Sequence, residues 1–199
     1  DSISFRPLED LDTPAGKKNA RQFVELCLVE QNVPLNPSIK NAIFRTIENM
    51  ADLEKERRTL TSFPQYCDYN NPVTHVNDIV EGLSPYYCGG SHAELFDSDS
   101  EENIKIEIKP WTCFEMGTLM NRAEDAVAPT RFHWFGELEK KFDGSPYIII
   151  LDEAWVFFKN PIFADKILEW LKTLRKSNVG IIFATQEIED ALKSPIAST

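Results

Sequence analysis

The stretch Tyr147-Ile148-Ile149-Ile150-Leu151-Asp152-Glu153-Ala154-Trp155 constrains this chain more than any other part of it. Four consecutive aliphatic residues, Ile148 to Leu151, leave no room for inside-outside alternation, so the run predicts a central parallel strand covered by helices on both faces. Parallel strands bind ligands at their carboxyl ends. Asp152 and Glu153 stand there, the acid pair that a Walker B motif requires. The first carboxylate holds the water shell of Mg²⁺, and the second orients and polarises the attacking water. Taken alone, the same string also describes a strand running into a polar turn.

The residues that follow complete a β-α-β unit. Asn160 and Pro161 open a helix, and Phe163, Ile167, Trp170, Leu171 and Leu174 recur on one face of it. Arg175 and Lys176 close it at the negative end of the helix dipole. After Ser177-Asn178 the run Val179-Gly180-Ile181-Ile182-Phe183-Ala184-Thr185-Gln186 reads as a second strand, and a right-handed crossover lays it parallel to the first. Gln186 therefore ends beside Asp152. A polar side chain there either senses a γ-phosphate or bonds an adjoining loop.

Leu151-Asp152-Glu153-Ala154-Trp155, Trp170-Leu171-Lys172-Thr173-Leu174-Arg175-Lys176 and Ala184-Thr185-Gln186 together resemble the C-terminal ATPase domain of the CagE/TrbE family. These are conjugation-type ATPases of type IV secretion systems, within the FtsK/HerA group of hexamer-forming P-loop motors. Looser matches follow in the same order upstream, at Phe5-Arg6-Pro7-Leu8, Leu95-Phe96-Asp97 and Cys113-Phe114-Glu115-Met116. The resemblance implies a RecA-like fold, ATP and Mg²⁺ as cofactors of the parent protein, and three roles. Asp152 binds Mg²⁺ through water, Glu153 is the catalytic base, and Gln186 reports phosphate occupancy. Arg175 invites the name of arginine finger. Its helix runs antiparallel to the strands, however, which leaves it roughly 20 Å from Asp152. Helix-end capping or a salt bridge is the preferred reading, with contact across a subunit boundary left open.

One departure from the family stands out. No Gly-x-x-x-x-Gly-Lys-Ser/Thr string occurs in the 199 residues, which contain eight glycines. In the family this phosphate-binding loop precedes the Phe-x-Pro-Leu stretch, so the resemblance implies a cut-down piece that starts after the nucleotide-binding strand and helix. Ser194 to Thr199 would open a loop into further family sequence. By itself such a piece is expected to be inactive.

Composition narrows the partners. A net charge of −11 and a pI of 4.8 argue against a broad electrostatic footprint on nucleic acid. No apolar run approaches the ~20 residues of a membrane span. Cys27, Cys67, Cys88 and Cys113 lack C-x-x-C spacing and read as reduced core residues. Cys88 with His92 is too little for a zinc site without a second ligand pair.

From the N-terminus, Ile3 and Phe5 suggest a short extended segment. Thr13-Pro14 starts a helix that buries Ala20, Phe23, Val24, Cys27 and Leu28. Asn36-Pro37 starts a second, with Ile39, Ile43, Phe44, Ile47 and Met50 as its inner stripe. The two should form a hairpin. The mixed charges of Glu54 to Arg58 read as a solvated turn. Pro72 to Leu83 holds a short helix, and Gly89-Gly90 is a turn rather than a phosphate loop, since no Lys-Ser or Lys-Thr follows. Asp97 to Asn103 is an acidic loop expected to be mobile. Ile104 to Lys109 alternates as a strand, and Trp111 to Phe114 begins another in the main sheet. Thr118 to Ala126 forms a short helix, Pro129 interrupts, and an aromatic-rich helix carries Phe132, Trp134, Phe135, Leu138 and Phe142 as core. Asp143-Gly144-Ser145-Pro146 turns into the Walker B strand.

The expected architecture is α/β, a partial RecA-like P-loop NTPase core with a helical insertion. Residues 1–85 form the N-terminal segment and insertion, and 86–199 form the core. The resemblance implies a parent that couples ATP hydrolysis to apparatus assembly and to transfer of DNA or protein. Its partners would be other secretion components at the cytoplasmic face of the bacterial inner membrane, and it would form a homo-oligomer, hexamer or dimer. Strong nucleic-acid binding by these residues is not expected. Two other readings stand beside this one: a non-catalytic assembly module, and a double-stranded DNA translocase of the HerA/FtsK type. The edge of the Val179–Thr185 strand is expected to be capped by Ile3 to Phe5 or by a second copy of the chain.

Overall fold

A computed structural model describes residues 4–70, 75–97, 110–113, 124–152 and 161–184. Packing divides the chain into two compact units, Asp1–Trp134 and Phe135–Thr199. Residues 85/86, where the sequence suggests a boundary, fall inside the first of these units.

The first unit is built around helix α1 (Pro14–Glu30). Thr13 caps it by accepting the Gly16 N–H on Oγ1 at 2.9 Å, and Pro14 fits the first turn, where no N–H is needed. Ala20, Phe23, Val24, Leu26, Cys27 and Leu28 are all buried, more than one stripe can supply, because helices α2 (Pro37–Ala51) and α3 (Val76–Leu83) both pack against α1. Gly82 permits the α3 approach. A Cβ there would lie 2.7 Å from Leu28 Cδ2 and 2.8 Å from Val33 Cγ2. In α2, Asn36 Oδ1 accepts the Ile39 N–H at 2.9 Å, and Ile39, Ile43, Ile47 and Met50 form the buried stripe. Phe44 departs from expectation. It sits about 100° round the helix from Ile43, is 41% exposed, and lies under the Arg21 guanidinium at 5.1 Å.

The charged run is also not the uniformly solvated turn that its mixed signs suggest. Lys55–Arg57 forms an exposed 3₁₀ turn, but Arg58 is buried. Its Nε donates to Leu53 O at 2.9 Å, Nη1 to Glu9 O at 3.1 Å, and Nη2 to Ala51 O at 2.9 Å and to Asp12 Oδ1 at 2.8 Å. Arg58 thus serves the carbonyls left over at the C-terminus of α2.

The Phe5 N–H donates to Leu95 O at 2.6 Å, in the short helix α4 (Ala93–Phe96), and the Phe5 ring packs on Phe96. Ile3 lies outside the described residues. Cys27 and Cys67 are buried as expected, whereas Cys88 and Cys113 are exposed. Gly89 takes a φ of +88°, the turn conformation that glycine supplies.

Helix α5 (Glu124–Glu139) corrects a second expectation, because it runs through Pro129 without breaking. Proline cannot donate to the carbonyl four residues back, which is that of Asp125. The Tyr86 hydroxyl, from a 3₁₀ turn at Ser84–Tyr86, donates to Asp125 O at 2.9 Å and makes up the loss. Phe132 and Phe135 of the aromatic stripe are buried, and Trp134 is half-buried.

In the second unit, Gly144 at φ +94° and the Ser145 N–H on Asp143 Oδ1 (3.0 Å) make the turn into strand β1 (Tyr147–Leu151). Helix α6 (Pro161–Thr173) crosses over to strand β2 (Val179–Phe183), parallel to β1 in the register Tyr147↔Val179 to Leu151↔Phe183. Trp170 of α6 is fully buried, with the Phe135 ring edge-on at 4.6 Å, and Lys166 pairs with Glu139 at 3.0 Å. The strand is not covered on both faces. Ile148, Ile150 and Ile182 are exposed, while Leu151 and Val179 are buried, so the run of isoleucines alternates after all. Among the described residues the sheet has these two strands. Pro110–Cys113 is not strand, and Trp111 is 81% exposed, contrary to its expected place in the sheet. The acidic loop beyond Asp97, the Ile104–Lys109 strand and residues 118–123 lie outside the described residues. No helix among those described is long and apolar enough to cross a membrane.

Candidate nucleotide site

The site expected from the sequence lies at the carboxyl ends of β1 and β2. Backbone hydrogen bonds fix the two strands level with each other. The Tyr147 N–H donates to Asn178 O at 3.1 Å at one end, and the Ala184 N–H donates to Leu151 O at 2.9 Å at the other. Asp152 follows directly on Leu151, which is paired with Phe183 at the end of β2, and is exposed. Glu153 and Gln186 lie outside the described residues. So do Trp155, Phe157 and Phe158.

Arg175 falls elsewhere. Its backbone is in the 3₁₀ turn Leu174–Ser177, immediately before β2, at the amino ends of the strands. A five-residue strand spans about 16 Å, which separates this turn from Asp152. Arg175 and Asp152 of one chain are therefore not brought together.

Mg²⁺ in nucleotide sites is held by one or two carboxylates together with waters and phosphate oxygens. The exposed Asp152, directly after the end of a parallel strand, fits that donor set. Among the described residues there is no group of three or more His, Cys, Asp or Glu side chains fit to hold a metal without a ligand's help. His92 Nε2 lies 2.9 Å from Asp125 Oδ1 in a part-buried contact, while Cys88 is exposed. Burial pushes the Cys27 thiol well above its usual range, which keeps it neutral and unreactive.

A polar cluster that sequence reading missed lies in the first unit. Asp125 accepts from His92 on Oδ1 and from Gln31 Nε2 on Oδ2 at 2.7 Å, and Gln31 Nε2 also reaches the Tyr86 hydroxyl at 3.2 Å. Burial raises the Tyr86 phenol far above the ordinary tyrosine range, so it stays a hydrogen-bond donor. No local signal joins residues 31, 86, 92 and 125; only tertiary packing does. The aromatic pair Tyr86–His92 at 5.5 Å is part of the same cluster.

A family profile described as the TraG P-loop domain matches residues 61–199, more than half of the chain. The chain belongs to the TraG P-loop domain family. Within this P-loop family it is 35% identical over 195 residues to the conjugal transfer protein TrbE of Rhizobium radiobacter, covering 98% of this chain and 22% of that protein. It is 30% identical over 135 residues to the type IV secretion system protein CagE of Helicobacter pylori, covering 66% of this chain and 13% of that protein. It is 25% identical over 194 residues to the type IV secretion system protein virB4 of Bartonella henselae, covering 97% and 24%. The chain spans about a quarter or less of the length of these relatives. Its family resemblance to conjugation and type IV secretion proteins therefore holds along nearly its whole length. P-loop domains are α/β and bind nucleotides, and the parallel β1-α6-β2 unit is the part of such a domain that the described residues show.

Proposed function

We propose that this chain is part of the motor domain of a type IV secretion ATPase, in which ATP hydrolysis drives apparatus assembly and transfer of DNA or protein. The observation that carries the reading is the position of Asp152. It is an exposed acid at the carboxyl end of a parallel strand, level with the end of its β-α-β partner, in a chain of the TraG P-loop family. In this reading residues 1–85 are a helical insertion and residues 86–199 part of a RecA-like core. Asp152 holds water-coordinated Mg²⁺, Glu153 acts as the base, and Gln186 senses the γ-phosphate. Arg175, remote from Asp152 of its own chain, serves a helix end or a neighbouring subunit of a hexamer or dimer. The parent works at the cytoplasmic face of the inner membrane with other secretion components.

The chemistry divides cleanly for testing. Hydrolysis needs backbone N–H groups and a lysine around the phosphates as well as an acid near Mg²⁺, and these 199 residues hold no Gly-x-x-x-x-Gly-Lys-Ser/Thr string. The isolated chain is expected to show no turnover. In a family protein carrying both this sequence and the phosphate loop, Glu153→Gln should abolish turnover and leave ATP bound, whereas Asp152→Ala should weaken Mg²⁺–ATP binding. Steady-state hydrolysis and titration with a fluorescent ATP analogue read both. Unchanged turnover in the Glu153→Gln variant would sink the assignment.

A further inference from the structure

The first turn of α5 is held in an unusual way. Pro129 removes the helical hydrogen bond to Asp125 O, so the turn before it is joined to the rest of the helix by one bond fewer than usual. Residue 125 is instead gripped from outside the helix by three groups. The Tyr86 hydroxyl donates to its carbonyl at 2.9 Å, His92 Nε2 meets Oδ1 at 2.9 Å, and Gln31 Nε2 donates to Oδ2 at 2.7 Å. Those anchors are themselves fixed. His92 N–H donates to Pro85 O at 2.7 Å, and Gln31 caps the end of α1.

We propose that residues 124–128 form a latched turn, helical while docked on Tyr86, His92 and Gln31, and able to detach as a unit at Pro129. The proline is the point at which helical hydrogen bonding fails to carry stability backwards. The Tyr86 hydroxyl substitutes for the missing amide. Beyond the proline, Phe132 and Phe135 are buried, so the rest of the helix has its own support, while the Thr130 Oγ1 bond to Ala126 O at 2.7 Å ties the turn to it and breaks on opening. Opening would release Asp125, His92 and Tyr86 together while leaving the packing of α1 on α2 intact. This inference does not depend on the proposed ATPase role.

The test is hydrogen–deuterium exchange on the intact 199-residue chain. Tyr86→Phe removes one oxygen and keeps the ring, so exchange in peptides covering residues 126–131 should rise about fivefold, as expected for one net hydrogen bond, with α2 unchanged. Adding Pro129→Ala supplies an amide for Asp125 O and should return exchange to the wild-type rate or slower. No change in Tyr86→Phe, an equal rise in α2, or failure of Pro129→Ala to rescue would each overturn the proposal.

Discussion

Replacing Arg58 by methionine tests the most heavily bonded side chain of the first unit. The substitution preserves the length of the stem but deletes every donor, leaving the carbonyls of Leu53, Ala51 and Glu9 without the guanidinium. Each hydrogen bond to a charged group contributes about 1.5–3 kcal/mol net. Partial rehydration of carbonyls at a helix end brings this nearer 1 kcal/mol apiece, a total of about 3 kcal/mol. The Asp12 contact is given no share, because that carboxylate is exposed and screened. With a urea dependence of about 1.5–2 kcal/mol per molar, the midpoint of helical unfolding should fall by about 1.5–2 M in far-ultraviolet circular dichroism. Arg58→Lys should recover only part of this, since an ammonium cannot reach carbonyls on several sides at once. A midpoint for Arg58→Met within about 0.3 M of wild type, or a lysine variant as stable as the native chain, would show that Arg58 is an ornament of the surface turn.

Trp170→Ala should destabilise the second unit by about 3–5 kcal/mol, because a fully buried ring in edge contact with Phe135 is lost; thermal melts would show its transition disappear, with Trp170→Phe intermediate. Asp97 is held above the ordinary carboxylate range, mainly by burial, which outweighs its hydrogen bonds from Thr61. A raised folded pKa means that the folded state keeps its proton longer, so stability falls as pH rises above about 4 toward the folded pKa. Asp97→Asn should flatten that decline in urea midpoints measured between about pH 4 and 7; a slope unchanged from wild type would rule Asp97 out as its source.

Much of the local architecture is legible in short strings. Thr13-Pro14 and Asn36-Pro37 each carry a cap and an N1 proline within two residues, and both helices start where those pairs stand. The β1-α6-β2 order follows from two apolar runs separated by an amphipathic one. What was hidden depends on residues far apart in sequence. Pro129 reads as a break because its remedy, Tyr86, lies 43 positions earlier. Arg58 reads as solvated because its acceptors are carbonyls, which no sequence pattern displays. The isoleucine run concealed which of its faces is buried, since every position carries a similar side chain and only the coverage tells them apart. Of the site residues, Asp152 stands at the strand end where its string predicts it, and Arg175 stands at the opposite end, as the antiparallel course of its helix requires.

The parallel register of β1 and β2 has a consequence for how the chain comes off the ribosome. Every paired residue waits for a partner 32 positions later in the sequence. At synthesis rates of about 5–20 residues per second, β1 waits roughly 2–6 s for β2 to be made. No hairpin can shorten that interval, because parallel strands need the intervening helix to return the chain. During those seconds the nascent segment Tyr147–Leu151 is a natural client for a chaperone that binds short aliphatic stretches.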